Sequence, residues 1–286
     1  MGRARSRGDK RHLRTTSGRA QEVAVPYATN AGVRVYYETE GKGPPLVLYT
    51  GFTGALQDWR DFGYVDALRH DFRLILIDPR GHGASDKPHD PAAYEYELRI
   101  ADLTAVLDAE GVERAHFWGY SMGAAMGFAT AVYAPHRLRS LVSGGPATNA
   151  MPTDPQAAIQ WAAGIRAGGN AAIVTIWASQ LGSLPASVRA RLLSNDIEAL
   201  AAHCLLGQPS DLLERLPRIT LPTLIYCGNR DEAYAGLQVV TERIPQARFI
   251  ELKDMNHLQV FGQSSAILPH VRAFLTDAEH RSDTLT

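Results

Sequence analysis

The stretch "HFWGYSMGAAMG", residues 116–127, runs from an apolar segment into small residues, with a serine between two glycines at the change. "AHFWGY" has the length and character of a buried strand, and "MGAAMGFATAVYA" that of a helix packed on all sides. Between them lies Gly119-Tyr120-Ser121-Met122-Gly123, a G-x-S-x-G pattern at a strand-to-helix junction. A junction this sharp forces the serine backbone into a strained conformation and brings strand and helix so close that side chains at 119 and 123 would collide. What the strain yields is an exposed Ser121 hydroxyl at the positive end of a helix, beside the Met122 N–H.

Working outward, further apolar runs of strand length occur at 46–50, 74–78, 138–144, 223–228 and 248–252. Runs apolar on both faces belong to strands covered on both sides. Helical stretches separate most of them; in one, Ile100, Leu103 and Leu107 mark a single face. The alternation predicts an α/β fold with a mostly parallel, doubly wound sheet. Two alternating segments at 23–28 and 33–38, with a bend at "NAG", predict an antiparallel hairpin before it. Residues 147–216 break the alternation with helical pieces punctuated by proline and glycine, which reads as a helical cap inserted between 21–146 and 217–280 of the core.

The composition narrows the function classes. A net charge of −1 in 286 residues gives no reason to expect nucleic acid or a membrane as partner. Residues 1–20 differ, with Arg3, Arg5, Arg7, Lys10, Arg11, Arg14 and Arg19 against Asp9, and read as a disordered basic tail. No apolar stretch follows those charges, and no run is long enough to span a bilayer. Cys204 and Cys227 show no metal-ligand spacing, so no metal site or disulfide is expected, and a cytoplasmic location fits best. A homodimer is compatible with the sequence.

A serine hydroxyl needs a base to take its proton, and the base an acid to orient it. Of the late histidines, His257 follows the last strand directly in what reads as a loop, His270 falls in the final helix and His280 in a polar tail. For the acid, Asp231 stands at the carboxyl end of the strand 223–228, with Glu232 as the alternative from the same loop. Asp254 is too near His257 in sequence, and "SGGPATN" after 138–144 offers no acid. The segment Thr50 to Gly54 can turn the Phe52 N–H toward a developing negative charge, the second donor beside Met122. Trp161 and Trp177 in the insertion suit an apolar substrate pocket or, at helical spacing, the packing of cap on core.

With these residues in place, the chain resembles the α/β-hydrolase family over about residues 21–278. "TGFTGALQDW" resembles its oxyanion loop, "DPRGHGASDKP" the loop after its fourth strand, "GYSMG" its nucleophile elbow, "GNRDE" its acid loop and "MNH" its histidine loop. The resemblance implies Ser121 as nucleophile, His257 as base, Asp231 as acid, Phe52 and Met122 as oxyanion hole, no cofactor, and a structural role for His82. Relatives usually carry histidine where this chain has Thr50, so the bracing of the oxyanion loop is expected to differ. Serine at 121 argues against haloalkane dehalogenases and epoxide hydrolases, which use aspartate there. The resulting expectation is a carboxylic ester hydrolase or lactonase with a small or medium apolar substrate. The alternatives are a carbon–carbon bond hydrolase or lyase, and a silent small-molecule binding protein of the same fold.

Overall fold

A computed structural model describes Met1 and residues 26–146, 154–205 and 211–283; the basic tail and the first residues of the expected insertion lie outside them. The strands are β1 (Tyr27–Asn30), β2 (Val33–Glu40), β3 (Pro45–Tyr49), β4 (Arg73–Ile77), β5 (Ala115–Tyr120), β6 (Leu138–Gly144), β7 (Thr223–Gly228) and β8 (Ala247–Leu252). They form one sheet in the order β1-β2-β4-β3-β5-β6-β7-β8. The β1–β2 and β2–β4 pairs are antiparallel and every later pair is parallel. The hairpin bends at Ala31 and Gly32, both with positive φ and both within the expected "NAG" bend, and its first strand runs to Asn30, two residues beyond the segment the pattern gave.

The apolar runs of β3 to β7 become strands because each buries both faces, while β8, at the edge of the sheet, is only partly buried. In β3, Val47 and Tyr49 join one core while Leu46 and Leu48 join the other. The first core lies under the helices Tyr96–Ala109 and Met122–Tyr133, and the second under the C-terminal helix Ser264–Asp283. His280 is inside that last helix rather than in a polar tail.

Between β6 and β7 the described residues form helices at Pro155–Leu181, Ala186–Leu193 and Ile197–Cys204, then a short turn at Leu212–Arg215. The first is broken at Gly169, whose φ of 57° and ψ of −165° are not helical. Sequence order reverses around β3, which lies between β4 and β5, and the loops leaving β3 and β5 therefore meet at the carboxyl edge of the sheet. Open α/β sheets bind ligands at such a switch point.

Candidate active site

Ser121 occupies the turn after β5 with φ 56° and ψ −115°, a conformation that non-glycine residues seldom adopt. Its N–H donates to the Gly144 carbonyl at 2.8 Å, which ties the strained residue to the end of β6. Gly119 and Gly123 are required by contact. A Cβ on Gly119 would stand 2.2 Å from the Gly123 carbonyl oxygen, and one on Gly123 would stand 2.3 Å from that of Tyr49. The second contact is with β3, not with β5, so this glycine lets the helix press against the strand that feeds the Thr50–Gly54 loop.

That loop reaches the serine because β3 and β5 run side by side, Tyr49 paired with Gly119. A Cβ on Gly51 would lie 3.1 Å from the Ser121 Cβ. Met122 is the first residue of its helix, so its N–H has no intrahelical acceptor. The Phe52 N–H likewise has no acceptor among the described residues. Thr50 is buried, and the bracing comes from elsewhere. Asp58 accepts from the Ala55 N–H at 2.8 Å, and Asp78 from Leu56 at 2.7 Å and Ala84 at 2.8 Å. Residues between β6 and β7 complete the frame. Arg191 pairs with Asp58, Asn195 Nδ2 donates to the Thr53 carbonyl at 3.0 Å, and Trp177 Nε1 donates to Thr53 Oγ1 at 3.1 Å. Sequence reasoning missed the part of this frame that comes from between β6 and β7, because Arg191, Asn195 and Trp177 stand more than a hundred residues from the partners they meet.

His257 opens the helix His257–Gly262 rather than sitting in a loop. Asn256 caps that helix, accepting from Gln259 N–H at 2.9 Å while Gln259 Oε1 accepts from Asn256 N–H at 3.0 Å. The N-x-x-Q spacing in "NHLQ" is compatible with this reciprocal cap but does not by itself separate it from a loop. The Tyr120 hydroxyl donates to the His257 carbonyl, and its ring lies 5.3 Å from the imidazole.

His257 Nδ1 is 2.6 Å from Asp231 Oδ2. Glu232, by contrast, is exposed, and Asp254 is turned out to Arg230. The Asp231 carboxylate is 6% exposed, and its other oxygen accepts from the Ala233 N–H at 3.0 Å. Burial alone would raise this carboxyl group. Hydrogen bonds from His257, Ala233 and the Cys227 thiol, with the attraction of the imidazole, hold it below the usual carboxylate range instead. An ionised carboxylate can only accept, so Nδ1 carries the proton and Nε2 is left as an acceptor.

Ser121 and His257 both line a cavity of about 270 Å³. Phe52, Trp161, Ile165, Ile173, Ile176, Trp177, Leu258 and Phe261 make its wall predominantly apolar. Trp161 and Trp177 therefore face the same cavity as the serine, while Trp177 is also buried in packing against Leu192 and Leu200. The Phe52 ring packs against Trp161, His82 and His203 at centroid distances of 5.7 to 5.9 Å. His82 lies outside the cavity. It is buried, is within 3.1 Å of the Arg80 carbonyl through Nδ1, and is pushed down by burial to about 4. Among the described residues no group of three or more His, Cys, Asp or Glu side chains could hold a metal, and no helix is long and apolar enough to cross a membrane.

Residues 44–169 match the family model described as the alpha/beta hydrolase fold. RutD of Stutzerimonas stutzeri, named a carbamate hydrolase, is 31% identical over 80% of this chain and 92% of its own length. RutD of Azorhizobium caulinodans is 38% identical over 41% of this chain, and the match spans 43% of that protein. A 2-succinyl-6-hydroxy-2,4-cyclohexadiene-1-carboxylate synthase of Bacillus subtilis is 29% identical over 88% of this chain and 98% of its own. The crystal structure of the enol-lactonase from Burkholderia xenovorans LB400 superposes with a TM-score of 0.78 at 28% identity, covering 88% of this chain and all of that one.

Proposed function

The chain belongs to the α/β-hydrolase fold family, and from that premise we propose that it is a serine hydrolase of small or medium apolar esters or lactones. The observation that carries this reading is the 2.6 Å contact of His257 with Asp231 in the wall of an apolar cavity that Ser121 also lines. His257 Nε2 takes the Ser121 proton as Oγ attacks the carbonyl carbon, and the oxygen left with negative charge is met by the N–H groups of Phe52 and Met122. The imidazolium then gives its proton to the departing alcohol. Water, deprotonated in turn by His257, releases the acid from the acyl-enzyme.

The enol-lactonase named among the structural relatives supports a lactone as substrate, and the relatives named carbamate hydrolases support hydrolysis at a carbonyl carbon. The synthase relative favours a second reading, a carbon–carbon lyase acting on a carboxylate-bearing compound. Against it, no Arg or Lys is among the described residues that line the cavity, whereas a desolvated carboxylate calls for one. Two buried, free cysteines fit a reducing, cytoplasmic setting.

Steady-state hydrolysis of p-nitrophenyl and alkyl esters of two to eight carbons, beside small lactones and vinylogous diketones, tests the proposal. Turnover of esters or lactones that is lost in Ser121→Ala is expected. Turnover of the diketones alone would transfer the function to the lyase reading.

A further inference from the structure

The cavity is predominantly apolar, so the few polar groups in its wall decide how a ligand is oriented. Most of these are already committed. The Tyr120 hydroxyl donates to the His257 carbonyl, and Thr53 Oγ1 accepts from the Trp177 indole. Thr50 is buried against Gly54. Ser121 and His257 are taken up by the acyl transfer already described. Of the donors that remain, the Trp161 indole and the amide of Gln180 at the end of the helix Pro155–Leu181, Gln180 is the one anchored to the helix that carries His257.

Gln180 is held in a defined pose. Its side-chain Oε1 accepts from the Leu258 N–H at 3.3 Å, and its main-chain carbonyl accepts from Asn256 Nδ2 at 3.1 Å. The first contact fixes which end of the amide is which, because a backbone N–H can face only the oxygen. The second ties the residue to the cap of the helix that begins with His257. Nε2 therefore presents two N–H donors that no described residue accepts. A glutamine held at one end, in an apolar wall, with its donors unspent is arranged to receive an acceptor from outside the chain.

Its place identifies the part of the ligand involved. Leu258 directly follows His257, and both line the cavity with Gln180, so the amide is anchored to the first turn of the helix that carries the imidazole, the group that returns a proton to the departing oxygen in the reaction proposed above. Resting on the serine hydrolase reading, we infer that Gln180 Nε2 is a specificity-determining donor for the alcohol portion of the substrate. The substrate class is then an ester or lactone whose alcohol part is apolar but carries an acceptor oxygen, ether or carbonyl, within a few bonds of the ester oxygen. It is not a plain alkyl ester, which would leave the two donors desolvated and unpaired.

Butyl butyrate and 2-methoxyethyl butyrate test this, since they differ only by one CH₂ replaced with an ether oxygen. The reading is the ratio of kcat/KM for the ether over the alkyl ester, compared between wild type, Gln180→Leu and Gln180→Glu. The ratio removes any general damage to the His257 helix that a variant causes. Glu keeps an acceptor for the Leu258 N–H while losing the donors, and so isolates them from the anchor. The ratio is expected to fall about tenfold in both variants, as for one neutral hydrogen bond made in the transition state. A ratio within twofold of wild type in either variant overturns the role of Gln180. Failure of wild type to hydrolyse either ester or any lactone is a different outcome, because it removes the hydrolase reading itself.

Discussion

Asp231→Asn is the most informative single change, because the structure separates its effect on catalysis from its effect on folding. Asparagine is isosteric, so its carbonyl can keep the bond from the Ala233 N–H, made at 3.0 Å in wild type. Its NH₂ group would then stand where Oδ2 meets His257 Nδ1 at 2.6 Å. Two donors cannot share that contact, so the imidazole must accept at Nδ1 and carry its proton on Nε2, where it can no longer take one from Ser121. A base locked in the wrong tautomer lowers kcat by about 10⁴, or about 5.5 kcal/mol of transition-state stabilisation at 1.36 kcal/mol per decade. Folding should suffer far less. A charge-assisted hydrogen bond is lost, but the cost of burying the carboxylate goes with it, and the net change should stay within about 2 kcal/mol. Initial rates on p-nitrophenyl butyrate give kcat, and thermal melting by circular dichroism gives stability. Glu232→Gln, exposed and away from the imidazole, is the control. A D231N enzyme keeping more than a tenth of wild-type kcat, or a larger loss in the control, would refute the assignment.

The other expectations follow from contacts already given. Gly119→Ala places its Cβ 2.2 Å from the Gly123 carbonyl oxygen and should destabilise by about 3 kcal/mol or prevent folding; a soluble variant with unchanged melting temperature would contradict the packing described. Gly164→Ala meets nothing within 4 Å in the helix Pro155–Leu181 and should stabilise by about 0.5–1 kcal/mol, which a lower melting temperature would exclude. Trp177→Phe removes the indole bond to Thr53 Oγ1 and should change the preference between short and long acyl chains as well as stability; an equal loss on every ester would leave Trp177 as packing alone. His82 titrates near 4 in the fold against its ordinary 6.5, so the unfolded chain binds the proton first as pH falls. Stability on this account should drop by about 3 kcal/mol between pH 6.5 and pH 4, and denaturant titrations showing the same slope in His82→Gln would assign that loss to other groups.

The sheet was legible because strands buried on both faces leave unbroken apolar runs, and β6 and β7 begin and end at the residues the pattern gave. Ser121 was legible because its strained turn needs glycine on either side. Less could be read where short polar side chains do the positioning. Asn256 makes His257 the first residue of a helix through a reciprocal cap with Gln259, and a single polar tripeptide looks the same in a loop. The frame that holds the Phe52 loop was not legible at all, since Asp58 meets Arg191 and Thr53 meets Trp177 and Asn195 only after the chain has crossed the sheet. Gln180 gave no sign either. A glutamine near the end of a helix is ordinary, and its meaning comes from the bond it accepts from the Leu258 N–H in the cavity wall.

Mapping of the protein after reaction with a fluorophosphonate, during steady turnover of p-nitrophenyl butyrate, tests the central claim most directly. The reagent's phosphoryl oxygen can occupy the position facing the Phe52 and Met122 N–H groups while Ser121 Oγ attacks phosphorus and expels fluoride. The account predicts a single adduct on the peptide that contains Ser121, turnover that stops in proportion to labelling, and neither event in Ser121→Ala. Labelling elsewhere, or one burst of product equal to the enzyme present with no turnover after it, would contradict the claim that this chain is a serine hydrolase.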